Sequence, residues 1–131
     1  MQIAPDLLQQ IVDHAQREKP AECCGYLVLD GDRVVEVVET ENLAHSPYRF
    51  DMDPRDVLAM GNAFDEGGAV IYHSHTRSAP RPSETDMNFA AQWPGVDWLI
   101  VGVKGDEPEI RNWRIAGGVA SEVEVRVDAG V

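Results

Sequence analysis

The feature that most constrains the fold is a pair of histidines at the end of an apolar segment. Residues 69–75 predict a β-strand that begins apolar and ends in a His-Ser-His triplet. Side chains alternate along a strand, so His73 and His75 would face the same side. Residues 76–82 contain two prolines and predict a loop, and residues 83–86 have the form of a capping box that opens a helix. The chain must therefore bring a helix start back over a strand end.

This arrangement predicts a metal site. His73 and His75 would supply two imidazoles, and Asp86, in the first turn of the helix, could supply a carboxylate. Two imidazoles and one carboxylate make a three-ligand zinc site with an open fourth position, which is typical of catalytic zinc. Alternatively, the histidines are ordinary core or surface residues, Ser83 is only a helix N-cap and Asp86 only its capping-box partner. The shared spacing of all four residues favours the zinc site.

Length and charge limit the class of protein. The chain has 131 residues, 44% of them hydrophobic, which predicts a single globular domain spanning 1–131. The net charge of −12 disfavours binding to nucleic acid, because phosphate backbones would be repelled. No apolar run is long enough for a membrane span, and the N-terminus does not resemble a secretory signal. We therefore expect a cytoplasmic protein with no membrane contact.

The two cysteines, Cys23 and Cys24, are adjacent and could not form an unstrained disulfide. A reducing compartment is consistent with this. Cys24 could line the metal pocket, but a small buried apolar residue is the commoner role of a cysteine.

The remaining pattern predicts an α/β (α+β) chain with a mixed, mostly antiparallel sheet flanked by helices. The expected helices are 5–18, 54–64 and 83–93, and the expected strands are 25–29, 33–38, 48–52, 69–75, 96–104, 109–115 and 119–127.

A hydrolytic zinc site also needs a general base. Glu22 is the candidate, since it precedes the apolar strand at 25–29 and would lie at a strand edge near the open end of the sheet. On local grounds alone, a surface glutamate after Pro20 is the better interpretation of Glu22.

Taken together, Glu22 and the downstream pattern His73-x-His75-x(7)-Ser83-x(2)-Asp86 resemble the JAMM (MPN+) zinc metalloproteases. The resemblance implies the JAMM/MPN fold, which is related to that of cytidine deaminases. It also implies roles: His73, His75 and Asp86 would bind Zn²⁺, Glu22 would be the catalytic acid and base, and Ser83 would stabilise the oxyanion.

The chain resembles the small bacterial branch of that family, some members of which release cysteine from a sulfur-carrier protein. The implied partner is such a ubiquitin-like protein with a C-terminal Gly-Gly tail, and the implied reaction is hydrolysis of the amide bond at that tail. The alternatives are a deubiquitinase-like isopeptidase, a non-catalytic MPN scaffold and a cell-wall peptide amidase. Arg77 and Arg81 could contact a substrate tail or carboxylate, or form a solvated loop. The sequence leaves the oligomeric state open, a homodimer included.

Overall fold

The computed structural model describes residues 1–128, which form one eight-stranded sheet with helices on both faces. The elements are β1 Gln2–Ile3, α1 Pro5–Glu18, β2 Cys24–Asp30, β3 Arg33–Thr40, α2 Pro54–Glu66, β4 Ala69–His75, α3 Glu84–Ala90, β5 Asp97–Gly102, β6 Glu109–Ala116, β7 Val119–Val123 and β8 Arg126–Val127. Among the described residues, none of these helices is both long and apolar enough to cross a bilayer.

The strand order is β7-β6-β5-β4-β2-β3-β1-β8, so β4 lies in the interior of the sheet. β4 pairs antiparallel with β2 and parallel with β5, and α3 lies in the connection between β4 and β5. Four of the seven strand pairings are antiparallel, which confirms a mixed, mostly antiparallel sheet. Both partners hold the end of β4 in place, and that end carries the two histidines.

The sheet separates two apolar cores. On one face, Met60 of α2 and Ala90 of α3 pack against buried side chains of β2, β4, β5 and β6. On the other face, Ile11 and Ala15 of α1 pack against buried side chains of β2, β3, β4 and β5. Successive residues of β4 therefore alternate between the α2/α3 face and the α1 face.

Three local predictions were wrong. Residues 48–52 do not form a strand, and only an isolated bridge joins Asn42 to Met52. The segment 119–127 is not one strand: β7 pairs with β6 at one edge of the sheet, and β8 pairs with β1 at the other. The third helix ends at Ala90, short of the predicted residue 93. The two-residue strand β1 was not predicted.

A buried polar pair lies under α1. Nδ1 of His14 and the hydroxyl of Tyr72 are hydrogen-bonded at 2.7 Å, and His14 is 2% exposed. The Tyr72 ring passes so close to Gly25 that a Cβ there would lie 2.5 Å from it, which explains the glycine in β2. Burial lowers the pKa of His14; the neighbouring carboxylates of Glu39 and Glu18 oppose this, and Arg17 adds to it.

Acid should therefore destabilise the fold through His14. In the folded chain the pKa of His14 lies below the ordinary 6.5. As the pH falls, the unfolded chain therefore binds the proton first. Stability that is present above pH ~6.5 is lost as the pH falls below it. His14→Gln should flatten the pH dependence of the free energy of unfolding below pH ~6.5, by at most about 1.4 kcal/mol per pH unit. Urea titrations between pH 7.5 and 5 measure this, with the exposed His45→Gln as control. An unchanged slope in His14→Gln would contradict the assignment.

Candidate active site

The site forms where the end of β4 meets the start of α3. His73 and His75 share the α2/α3 face of the sheet, and both are buried, at 0% and 3% exposed. Asp86, at 4% exposed, projects from the first turn of α3 toward them. The loop between β4 and α3 is held down by the indole of Trp113, whose Nε1 donates to the carbonyl of Pro80 at 3.0 Å.

The three predicted ligand residues converge. One ligand atom from each of His73, His75 and Asp86 lies within 4.8 Å of the others. Nε2 of His73 is 3.0 Å from Oδ1 of Asp86, and Nε2 of His75 is 3.2 Å from Oδ2. Ligand bonds of about 2.0–2.1 Å in a tetrahedral site separate neighbouring ligand atoms by roughly 3.3 Å. The spacing therefore fits three ligands around one small cation.

The hydrogen bonding of the histidines also fits a metal site. Both ring nitrogens of His73 are buried without a well-formed hydrogen bond, although Nε2 lies so close to Asp86. Nδ1 of His75 donates to the carbonyl of Ala79 at 2.8 Å, which leaves Nε2 of the neutral ring as the free lone pair. A buried imidazole without a hydrogen bond is costly in a fold, and a bound cation would satisfy it.

Asp86 caps α3 and at the same time faces the histidines. Its Oδ2 accepts from the backbone N–H of Ser83 at 3.0 Å, and Ser83 Oγ accepts from the N–H of Asp86 at 3.1 Å, so the capping box is complete. Oδ1 remains directed at His73. Asp86 thus keeps its cap with one oxygen and offers the other to the cluster. Because the Ser83 oxygen accepts at the cap, its hydroxyl hydrogen is free to donate elsewhere.

The charges of the cluster favour an ionised carboxylate. Burial acts to raise the pKa of Asp86, but the adjacent His73 and His75 and the Ser83 N–H outweigh it and hold the pKa well below its usual range. Burial likewise acts to lower the pKa of His75, and Asp86 together with the Ala79 carbonyl raises it overall. The site therefore holds a carboxylate that strongly attracts positive charge.

Glu22 is brought to the same strand end from β2. In the antiparallel pairing of β2 with β4, Cys24 lies opposite His73. The N–H of Ser74 donates to the carbonyl of Cys23, so the same register continues one residue further. This register sets Glu22 opposite His75. Glu22 is 4% exposed, and burial raises the pKa of its carboxyl to about 8, partly offset by His75 and reinforced by Asp86. Among the described residues, the cluster of three ligand atoms does not include Glu22. A buried carboxyl with a pKa of about 8, near the cluster but outside it, is suited to exchange a proton close to neutral pH.

The connection between β3 and α2 forms a wall of the site, and nothing in the sequence indicated that position. The ring of Phe50 lies 4.8 Å from that of His73. Nδ2 of Asn42 donates to the carbonyls of Glu22 and Arg49 at 2.9 and 3.0 Å, and its Oδ1 accepts from the N–H groups of Ala44 and Asp51. A buried loop asparagine signals such backbone bonding, but its partners cannot be read from the sequence.

The cysteines take no part in the cluster. Both are free and buried, and burial raises the pKa of Cys23 to about 12 and that of Cys24 to about 11. Cys24 lies on the face of the site but contacts Thr40 at 3.2 Å. Both thiols are protonated and enclosed, which makes them poor nucleophiles.

A family model described as prokaryotic homologs of the JAB domain matches residues 4–116. The chain belongs to this family. The JAB chain is 34% identical over 131 residues to the CysO-cysteine peptidase of Mycobacterium tuberculosis, covering 95% of this chain and 89% of that protein. It is 38% identical over 111 residues to the desampylase of Pyrococcus furiosus, covering 82% and 76%.

A JAB1/MPN domain protein from Archaeoglobus fulgidus superposes on the JAB chain with a TM-score of 0.64 at 25% identity, covering 97% of this chain and 98% of that one. The family resemblance and the α/β JAB/JAMM fold are thereby confirmed. With relatives named as a peptidase and a desampylase, the JAB chain is a hydrolase.

Proposed function

We propose that the chain is a zinc peptidase that hydrolyses the amide bond after the C-terminal glycine of a ubiquitin-like sulfur-carrier protein. The observation that carries the proposal is the convergence of buried His73, His75 and Asp86, with the buried carboxyl of Glu22 beside them. Two imidazoles and one carboxylate form a ligand set typical of catalytic zinc rather than of a structural site.

Zinc would be held by Nε2 of His73, Nε2 of His75 and Oδ1 of Asp86. Imidazole nitrogens make Mg²⁺ and Ca²⁺ poor occupants, because both prefer all-oxygen sites. When bound, zinc supplies Lewis-acid chemistry, polarising a carbonyl and making water more acidic. The hydrogen bond from His75 Nδ1 to the Ala79 carbonyl would fix that ring in its ligating orientation.

Glu22 would act as general base and then as general acid. Its carboxylate takes a proton from the attacking water, whose oxygen bonds to the glycine carbonyl carbon. The C–N bond then breaks, and Glu22 returns the proton to the leaving nitrogen. The products are a carrier ending in a glycine carboxylate and a free amine. A bound cation would lower the pKa of Glu22 from its metal-free value near 8, which favours the base form at the start.

Ser83 would donate its free hydroxyl hydrogen to the carbonyl oxygen as negative charge develops there. Ser83→Ala should reduce turnover by about 10²–10³-fold, by analogy with the loss of one oxyanion donor. It should also destabilise the protein by about 1 kcal/mol, because the cap of α3 is lost. Ser83→Thr, which keeps both the hydroxyl and the cap, is the matched variant and should retain most turnover. If Ser83→Ala unfolds more easily but turns over normally, the residue is only a cap.

The proposed substrate follows the relatives. The CysO-cysteine peptidase is matched over nearly the full length of both chains, which supports a carrier with a single cysteine as the leaving group. The second candidate is an isopeptidase that removes a ubiquitin-like protein from a lysine side chain. The higher identity to the desampylase, over a shorter span, favours this candidate.

A direct comparison of substrates tests the proposal. A Gly-Gly-terminated ubiquitin-like carrier is prepared with one C-terminal cysteine, and separately linked to a lysine side chain. Each is incubated with zinc-loaded protein and followed by intact mass. The expected result is loss of the cysteine residue with zinc and no change after chelation. A protein that binds zinc yet cleaves neither adduct would refute the assignment.

A further inference from the structure

The positive charges of this acidic chain are unevenly paired. The chain has 11 lysines and arginines against 23 acidic residues, so a carboxylate partner is easy to find. Within residues 1–128, six arginines lie within 4.0 Å of a carboxylate: Arg17, Arg33, Arg55, Arg111, Arg114 and Arg126. The other five cations have no such partner in the described part of the chain: Lys19, Arg49, Arg77, Arg81 and Lys104.

All five cations without a partner belong to segments that border the site. Lys19 precedes Glu22 by three residues, and Arg49 precedes Phe50. Arg77 and Arg81 lie in the loop between β4 and α3. Lys104 follows β5, next to Val103, whose N–H donates to the carbonyl of His75 at 3.0 Å. Cations elsewhere are neutralised within the fold, whereas those around the site are left exposed.

Three of these five cations line one cleft. The cleft has a volume of ≈ 590 Å³ and is bounded by Lys19, Pro20, Thr76, Arg77 and Lys104. Thr76 directly follows His75, and its hydroxyl donates to the carbonyl of Pro20 at 2.9 Å, so the two segments that line the cleft are joined there. The Arg77 guanidinium lies 5.6 Å from the centre of the Tyr48 ring, a contact that helps to orient it. The cleft therefore adjoins the reaction site and is positively charged.

We propose that this cleft binds the free α-carboxylate of the leaving amino acid, so that the enzyme prefers carriers ending in a single extra residue over isopeptide conjugates. This rests on the proposed function. The glycine tail carries no charge near the scissile bond, whereas the α-carboxylate of a single leaving residue lies two bonds beyond the scissile nitrogen. That places its carbon about 2.5 Å from the scissile nitrogen, and the cleft begins at Thr76, the residue that follows His75. A lysine conjugated through its side chain has no carboxylate at that position.

The test compares substrates that differ only in this charge. The ubiquitin-like carrier is prepared with C-terminal cysteine as the free acid and as the primary amide, and kcat/KM is measured for zinc-loaded protein. Wild type should prefer the acid by about tenfold, the worth of one or two charge-assisted hydrogen bonds at an exposed site. Lys104→Gln and Arg77→Gln should reduce that ratio toward one by raising KM for the acid, with the amide cleaved as before.

Arg49→Gln is the control, because it removes an exposed cation near the site but outside the cleft. It should leave the acid-to-amide ratio unchanged. Equal rates for acid and amide in wild type would overturn the inference while leaving the proposed function intact. An equal drop in Arg49→Gln would overturn it as well, since the effect would then be diffuse attraction. Failure to cleave either adduct would refute the proposed function and the inference together.

Discussion

Glu22→Gln is expected to abolish most turnover while leaving zinc bound. The amide has nearly the shape of the carboxyl but cannot accept a proton, so the reaction loses its base and its acid, and turnover should fall by about 10²–10⁴-fold. Zinc content should remain about one per chain, because Glu22 is not among the three converging ligand residues. Steady-state kinetics and metal analysis on the same preparation test both statements.

The fold should survive this change. In the metal-free chain burial raises the pKa of Glu22 to about 8, so ionising it opposes folding, and stability is lost as the pH rises from about 4.5 toward 8. Glu22→Gln removes the ionising group and should make the metal-free protein more stable at pH ~8. Glu18→Gln, an exposed glutamate at the end of α1, is the control and should keep full turnover. Full activity in Glu22→Gln would show that another group is the base.

Asp86→Asn should remove the metal and with it all measurable activity. The amide can still accept from the Ser83 N–H and keep the cap, but it no longer offers an anionic oxygen to the site. Changes to groups that merely orient zinc ligands weaken binding by 10–100-fold, so loss of a ligand should exceed about 100-fold. Zinc titration against a chelator of known affinity measures the change directly.

The matched control is Glu84→Gln. Glu84 lies in the same first turn of α3, loses the same charge on substitution and is exposed. It should bind zinc and turn over substrate like the unaltered protein. Comparable zinc loss in both variants would indicate that the acidity of the helix start, rather than ligation by Asp86, attracts the metal.

The strand that carries the histidines was predictable because its signals are local. Ala69–His75 was predicted at its observed bounds, since an apolar run follows Gly67 and Gly68 and precedes a proline-containing loop. The Ser83 cap and the helix start at Glu84 were predictable from the capping box. These local signals sufficed to predict that His73, His75 and Asp86 converge.

Strand pairings between residues far apart in the chain could not be predicted from local sequence patterns. Residues 119–127 alternate as a strand does, yet nothing in that pattern says that β8 leaves β6 to pair with β1. The pairing of Cys24 with His73 sets Glu22 beside the histidines, and this register joins residues 49 positions apart. In the sequence, only its place before an apolar strand and the family resemblance connect Glu22 with the site. The uneven pairing of the cations likewise became visible only in three dimensions.

The proposed function depends most directly on a single zinc ion at the end of β4. Crystals of the zinc-loaded protein, measured on both sides of the zinc absorption edge, would locate that ion without reference to activity. We predict one anomalous peak per chain, in contact with Nε2 of His73, Nε2 of His75 and a carboxylate oxygen of Asp86. Zinc-saturated crystals with no peak at these residues, or with the peak elsewhere, would contradict the account.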